Sequence, residues 1–365
     1  MTSDMQPLYI IDAYGLIYRS YFAFVSRPLV NARGENVSAV FGFFRNLKSL
    51  MDTHHPAYIA AAFDSRTKTF RHDAYPEYKA TRQKTPEDLH AQVPLVEEIL
   101  TALGIPVLRK DGVEADDVIA ALAARCEQQG RQCLILSGDK DLMQLVTGTV
   151  SMMRPDKNGG WQHIGPQDVL AEWGVPPEKM LDLLSLTGDS ADNVPGVAGV
   201  GDKTAVRLLT QYGSLDGIYA HAEEISGALG NKVRAGKDSA YFSRSLIMLK
   251  TDVDIPADIP AFAAQADNAK AAALLYGHGL PSVARLFEHG SSAEPDTAPN
   301  GQHAQPELAA AVQEAQTAVP QLAKNTGTYT ALTDIAELRA YIDGFFSAGH
   351  GEIAFDSETD SLDTR

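Results

Sequence analysis

The chain has 365 residues, 44% of them apolar, enough for one large core or two ordinary ones, and the length suggests two or three domains. No apolar run approaches the roughly 18 to 20 residues of a membrane span and no basic-then-apolar signal opens the chain, so a cytoplasmic protein without a membrane partner is expected. A formal net charge of −16 argues at first against nucleic acid, because phosphate binding is dominated by Lys and Arg.

In chain order, "LYIID", "YIAAAFDS" and "CLILSGDKD" are short apolar, β-rich runs separated by helix-like stretches, which predicts an α/β fold with a parallel sheet. Each run carries an aspartate at its end: Asp12, Asp64 and Asp139. Functional sites of open parallel sheets lie beyond the carboxyl ends of the strands, so these aspartates are expected to meet.

Charge is unevenly spread. The stretch "SRTKTFRHDAYPEYKATRQK", residues 65–84, has six Lys or Arg against two acids, a local +4 that leaves the remainder at −20. It includes Arg66, Lys68, Arg71, Tyr78, Lys79 and Arg82 and lacks a sustained apolar period. A solvated surface loop and an exposed excursion ordered by a ligand both fit such a run; we take the second as the expectation. In "TPEDLHAQVPLVEEILTALGI" that follows, Thr85 precedes Asp88 by three residues, and Leu89, Val93, Val96, Leu100 and Leu103 recur at helical spacing, predicting one amphipathic helix.

"VEADDVIAAL" then places Glu114, Asp116 and Asp117 at the start of an apolar helix. The helix dipole favours one or two carboxylates there. Three need something to neutralise them. Cys126 and Cys133 lack metal-type pairing with histidine and read as reduced and structural.

After Gly165 the pattern is mainly helical to about His289, dividing the chain into an α/β core at 1–164 and a helical part at 165–289. An Ala-, Gln-, Pro-, Ser- and Thr-rich tract at 290–327 reads as a linker, and residues 328–365 as the start of another domain.

The full acidic set is Asp12, Asp64, Glu114, Asp116, Asp117, Asp139, Asp141, Asp189 and Asp192. Nine acids are too many for acid–base work alone, and crowded carboxylates oppose folding unless a cation offsets them. Oxygen donors without His or Cys point to hard ions, Mg²⁺ or Mn²⁺, and a pair of such ions suits phosphodiester hydrolysis. "NVPGVAGVGDKTAVRLL" adds Gly196, Gly199 and Gly201, with Lys203 and Thr204 opening the next helix. A plain helix–helix turn fits this spacing as well as a phosphate grip; glycine density and the lysine favour the grip.

Together, "IIDAYGLIYRS", "AAFDS", "YPEYKATRQKTPEDL", "VEADDVIA", "LSGDKDLMQL" and "LTGDSADNVPGVAGVGDKTA" resemble, in order, the 5′-nuclease domain of bacterial DNA polymerase I, a relative of the flap endonucleases. The resemblance spans about residues 8–210 and implies a PIN-like domain, a helical arch over the site at 65–84, and a helix-three-turn-helix that grips duplex and often holds K⁺. It implies that the nine acids ligate two metal ions, that Arg19, Lys79 and Arg82 contact phosphate near the cut, and that Tyr78 stacks on a base. The implied substrate is DNA with a 5′ flap, nick or 5′ end, RNA primers included, cut by a monomer. Ala13 follows Asp12 where the family commonly has glycine.

"IAFDSETDSLD" resembles the first motif of the polymerase's 3′ to 5′ proofreading domain through Asp356 and Glu358, but further carboxylates that this chemistry needs are not in the sequence. Neither proofreading nor polymerase activity is expected of this chain. Two other readings compete: a non-catalytic duplex-binding module, which predicts gaps in the acidic set, and a small-molecule phosphatase, which leaves the basic segment and the glycine turn without a purpose.

Overall fold

A computed structural model describes residues 6–156, 160–255 and 258–288. All described residues lie in one compact unit. The expected linker and the proofreading-like segment fall outside the described residues.

Six strands form one sheet: β1 Leu8–Asp12, β2 Tyr58–Ala62, β3 Val107–Leu108, β4 Cys133–Leu136, β5 Val150–Pro155 and β6 Trp161–Ile164. Their order is β3-β2-β1-β4-β5-β6. All neighbours pair in parallel except β5 and β6. The direction of winding reverses between β1 and β4, the position at which open parallel sheets carry their sites. Sequence reading anticipated β1, β2 and β4. It missed β3, which is two residues long, and the β5–β6 hairpin, whose alternation is interrupted by Arg154 and Pro155.

Fourteen helices surround the sheet among the described residues: α1 Ala13–Phe22, α2 Ser38–His54, α3 Phe70–Ala74, α4 Glu87–His90, α5 Val93–Ala102, α6 Ala115–Gln128, α7 Pro166–Trp173, α8 Met180–Thr187, α9 Asp202–Tyr212, α10 Leu215–Ala220, α11 Gly227–Ala235, α12 Lys237–Ile247, α13 Asn268–Gly277 and α14 Pro281–Glu288. Alternate strand residues face opposite layers. Leu8, Ile10, Ala60, Ile135 and Met152 pack with α6 and the helices α7 to α12. Tyr9, Ile11, Ile59, Ala61 and Met153 pack with α1, α2, α5, α13 and α14. The helices after Gly165 therefore do not form one body: α13 and α14 return to the far face of the sheet.

The single helix expected over 85–103 is broken into α4 and α5. Pro94 sits in the first turn of α5, where its missing N–H costs nothing, whereas a continuous helix would place it in the interior. Leu89, Val93, Val96, Leu100 and Leu103 are all buried, so the apolar period is real and the break lies between its members. Gln92, at the break, caps α2 by accepting from the N–H groups of Ala39 and Val40. Thr85 is no cap; its hydroxyl bonds that of Tyr18.

Candidate active site

Asp12 ends β1 and is also the N-cap of α1, accepting from Gly15 N at 3.0 Å. Its second oxygen accepts from Ser137 Oγ at 2.6 Å, just past β4, which ties the two strands together at the switch point. Gly15 is required for close approach: a Cβ there would lie 2.2 Å from Asp12 Oδ2. Ala13, by contrast, is buried on the other layer and leaves the carboxylate untouched.

Asp64 lies two residues beyond β2 and accepts from Ala115 N, in the first turn of α6, at 2.9 Å. The turn carrying it is held by Arg109, whose Nε donates to the Asp64 carbonyl at 2.9 Å while its guanidinium pairs with Glu97. Asp139 follows β4, takes the N–H of Asp141 at 2.9 Å and gives its own N–H to Ser137 Oγ.

These acids repel one another. Burial raises the Asp12 carboxyl to about 6; hydrogen bonds from Ser137 and Gly15 work against this, and Asp139 and Asp64 add to it. Burial also lifts Asp116 well above the usual carboxylate range, reinforced by Asp139, Asp12 and Asp64. Asp141 is pushed up to about 7, by burial first and Asp139 next. Its Oδ1 is buried with no hydrogen-bond partner. An orphan oxygen among mutually repelling carboxylates fits a hard divalent cation. Asp12, Asp64, Asp116, Asp139 and Asp141 are the residues that would hold one.

The other four acids are engaged differently. Glu114 meets Lys79 Nζ at 2.8 Å, and Asp192 pairs with Arg82. Burial lowers the Lys79 ammonium, but Glu114 and Asp192 outweigh it and the net shift is upward. Lys140 takes Asp189 at 2.8 Å, so that despite burial Asp189 is held below its ordinary value. Among the described residues no group of three acids, histidines or cysteines is close enough, as the side chains lie, to hold a metal ion.

Asp117 corrects an expectation. Its carboxylate is fully buried and forked by Arg71 at 2.7 and 2.9 Å, while Glu114 N and Lys250 N also donate to it. With both oxygens used in this way, it is a counter-ion rather than a metal ligand. Arg71 is corrected with it: at 1% exposure it faces no DNA.

Tyr78 is also buried, its hydroxyl 3.1 Å from Glu114 and 3.0 Å from Asp192, so its ring is not available to stack on a base. The expected helical arch contains one short helix, α3. Beyond it the chain is a strap laid on the 189–193 loop, where Lys79 N donates to Asp192 O at 3.0 Å and Asn193 donates to Glu77 O at 2.8 Å. Arg66 and Lys68 are exposed at its start, and Arg19, also exposed, donates to Pro155 O at the end of β5.

The glycine segment joins α8 to α9. Gly196 is corrected: it is buried, its N–H given to Ser243 Oγ at 2.9 Å and its carbonyl accepting from Ser239 Oγ at 2.5 Å, so neither group faces a phosphate. Gly199 is exposed and its carbonyl lies 3.5 Å from Lys232 Nζ. Gly201 is the N-cap of α9 without a side-chain cap, and Lys203, exposed, and Thr204 stand in its first turn.

Sequence reading missed Gly15, Ser137, Arg109 and Lys140. The last was visible, since a lysine between Asp139 and Asp141 is an obvious counter-charge.

A mainly parallel sheet with acids gathered at its switch point, beside a basic strap and a glycine-rich turn, is the arrangement of a PIN-like fold. Residues 7–174 match the family described as 5′-3′ exonuclease, N-terminal resolvase-like domain, and residues 175–270 match 5′-3′ exonuclease, C-terminal SAM fold. The chain belongs to the 5′-3′ exonuclease family.

It is 41% identical over 251 residues to a 5′-3′ exonuclease of Aquifex aeolicus, covering 69% of this chain and 84% of that protein. It is 54% identical over 250 residues to DNA polymerase I of Treponema pallidum, covering 68% of this chain and 25% of that protein, so it spans about a quarter of the polymerase. In fold it is similar to the zinc-bound bacteriophage T5 5′-exonuclease (TM-score 0.55, 19% identity, 78% of this chain and 97% of that one). It is likewise similar to flap endonuclease-1 of Methanococcus jannaschii (TM-score 0.51, 18% identity, 78% of this chain and 91% of that one). No helix among the described residues is long and apolar enough to cross a membrane.

Proposed function

We propose that this chain is a metal-dependent, structure-specific 5′ nuclease that cuts DNA phosphodiesters at 5′ flaps, nicks and 5′ ends, RNA primers included, in primer removal and repair. It acts as a cytoplasmic, nucleoid-associated monomer and as the amino-terminal part of a DNA polymerase I. The observation that carries the reading is the orphan Oδ1 of Asp141 within a set of acids that raise one another's proton affinity.

Asp12, Asp64, Asp116, Asp139 and Asp141 would hold two Mg²⁺ or Mn²⁺ ions, while Glu114, Asp189 and Asp192 stay paired with Lys79, Lys140 and Arg82 in the free protein. When bound, such ions supply Lewis acidity that eases deprotonation of water and offsets charge on the leaving oxygen. Ser137 and Gly15 keep the Asp12 oxygens aimed, and Arg109 fixes the Asp64 turn. Lys79 and Arg82 neutralise Glu114 and Asp192 in the free protein and exchange them for phosphates flanking the cut. Arg19, Arg66 and Lys68 add backbone contacts. The exposed Gly199, Gly201 and Lys203 would hold duplex phosphates, and the same turn would take a K⁺ ion.

The test is incubation with 5′-labelled flap duplex in Mg²⁺ or EDTA beside a small phosphomonoester. Cleavage near the junction in Mg²⁺ alone supports the proposal. Binding without cutting, or turnover of the monoester in place of the flap, contradicts it.

A further inference from the structure

α12 touches both halves of this machinery through polar groups. Ser239 and Ser243, four residues apart, share one face of the helix. There they hold both main-chain groups of Gly196, whose φ of +61° and position against Gly188 leave no room for a side chain. A Cβ on Gly196 would lie 2.4 Å from Gly188 N.

The last carbonyls of a helix have no partner inside it. Arg71 takes two at this end, donating to Leu246 O at 2.7 Å and Met248 O at 3.2 Å. The same guanidinium forks Asp117, and Lys250 N adds a bond to that carboxylate at 3.0 Å. Asp117 in turn accepts from Glu114 N, so the first turn of α6, with Asp116 beside it, is fixed to α12. The strap joins too, through the ring of Tyr75 set edge-on to Phe242 at 5.3 Å.

Adhesion alone would not require this chemistry, since Ala240, Leu246 and Ile247 already bury the helix. Directional bonds at both ends fix distance as well as contact. From Ser239 to Leu246 the helix spans roughly 10 Å, about two turns.

The geometry points to α12 as a strut that sets which phosphodiester is cut: Ser239, Ser243 and Arg71 are positioning residues that fix the glycine turn relative to the acids. This rests on the 5′-nuclease reading above. Loosening either end lets the duplex grip shift against the carboxylates, blurring the cut site and lowering turnover while DNA affinity persists.

The experiment maps products of 5′-labelled flap duplex at single-nucleotide resolution in Mg²⁺. It compares wild type with Ser239→Ala, the Ser239→Ala/Ser243→Ala pair and Arg71→Lys, each checked by circular dichroism. Ser239→Ala, at a half-buried site, guards against loss of folding. The expected result is a rise of about fivefold in cuts at neighbouring positions, with kcat down on the order of tenfold and KM for DNA within about twofold. A wild-type product pattern in folded variants, or a loss confined to KM, overturns the strut alone. A wild-type chain that cuts no flap DNA overturns the functional reading and the strut with it.

Discussion

Replacing Asp141 by asparagine should stabilise the metal-free protein. Among the described residues no hydrogen bond to the Asp141 carboxylate is found, its Oδ1 is buried without a partner, and the attraction of Lys140 is outweighed by burial and Asp139, so the amide removes an unfavourable charge. Raising a carboxyl from 3.8 to about 7 corresponds to roughly 4 kcal/mol of unfavourable interaction in the ionised form. Partial exposure and relaxation reduce this to about 1–3 kcal/mol, or roughly 2–8 °C in Tm.

The sign follows from linkage. Well below pH 3.8 both folded and unfolded wild type carry a neutral Asp141, and variant and wild type coincide. As pH rises toward about 7 the unfolded chain ionises first and wild-type stability falls, whereas the variant escapes this loss. Thermal melts in EDTA from pH 4 to 8 should therefore diverge, and saturating Mg²⁺ should close or reverse the gap by stabilising wild type more. A variant that is less stable at pH 8 without metal, or a gap independent of pH, would refute the reasoning.

Asp117→Asn should act in the opposite direction, with or without Mg²⁺: it removes the forked partner of a buried guanidinium, leaving Glu114 at 3.3 Å as the remaining carboxylate, and costs about 3 kcal/mol, read as a lowered urea midpoint; wild-type stability would contradict the counter-ion role. Gly15→Ala places a Cβ 2.2 Å from Asp12 Oδ2 and, by turning that carboxylate, should lower kcat on the order of 100-fold with little change in KM; single-turnover kinetics on flap DNA check it. Lys203→Ala should weaken DNA binding and reduce the slope of log K against log salt by about 1, measured by anisotropy, with cleavage position unchanged.

That Asp12, Asp64 and Asp139 come together was legible, because each falls at the carboxyl end of a strand in a parallel sheet and such ends share one edge. Spacing could not divide the acids by role. Asp116 and Asp117 are adjacent, yet one faces the other carboxylates and the other faces Arg71, a contact 46 residues away that depends on where α3 packs. The basic segment misled for a related reason: six cations suggested solvent, but Arg71 is buried and Lys79 and Arg82 are occupied by acids that sequence reading assigned to metal. Gly196 reads as a free amide until α12 brings Ser239 and Ser243 against it. Long-range polar pairing, absent from periodicity, separates the ligand-like acids from the structural ones.

Soaking crystals of the protein in Mn²⁺ and recording anomalous scattering tests the central claim most directly. Peaks bounded by Asp12, Asp64, Asp116, Asp139 and Asp141, at roughly 2.0–2.3 Å from their oxygens, are the expected result. Ions seated on Asp117, or a cluster that stays empty at Mn²⁺ concentrations that support cleavage, would contradict it.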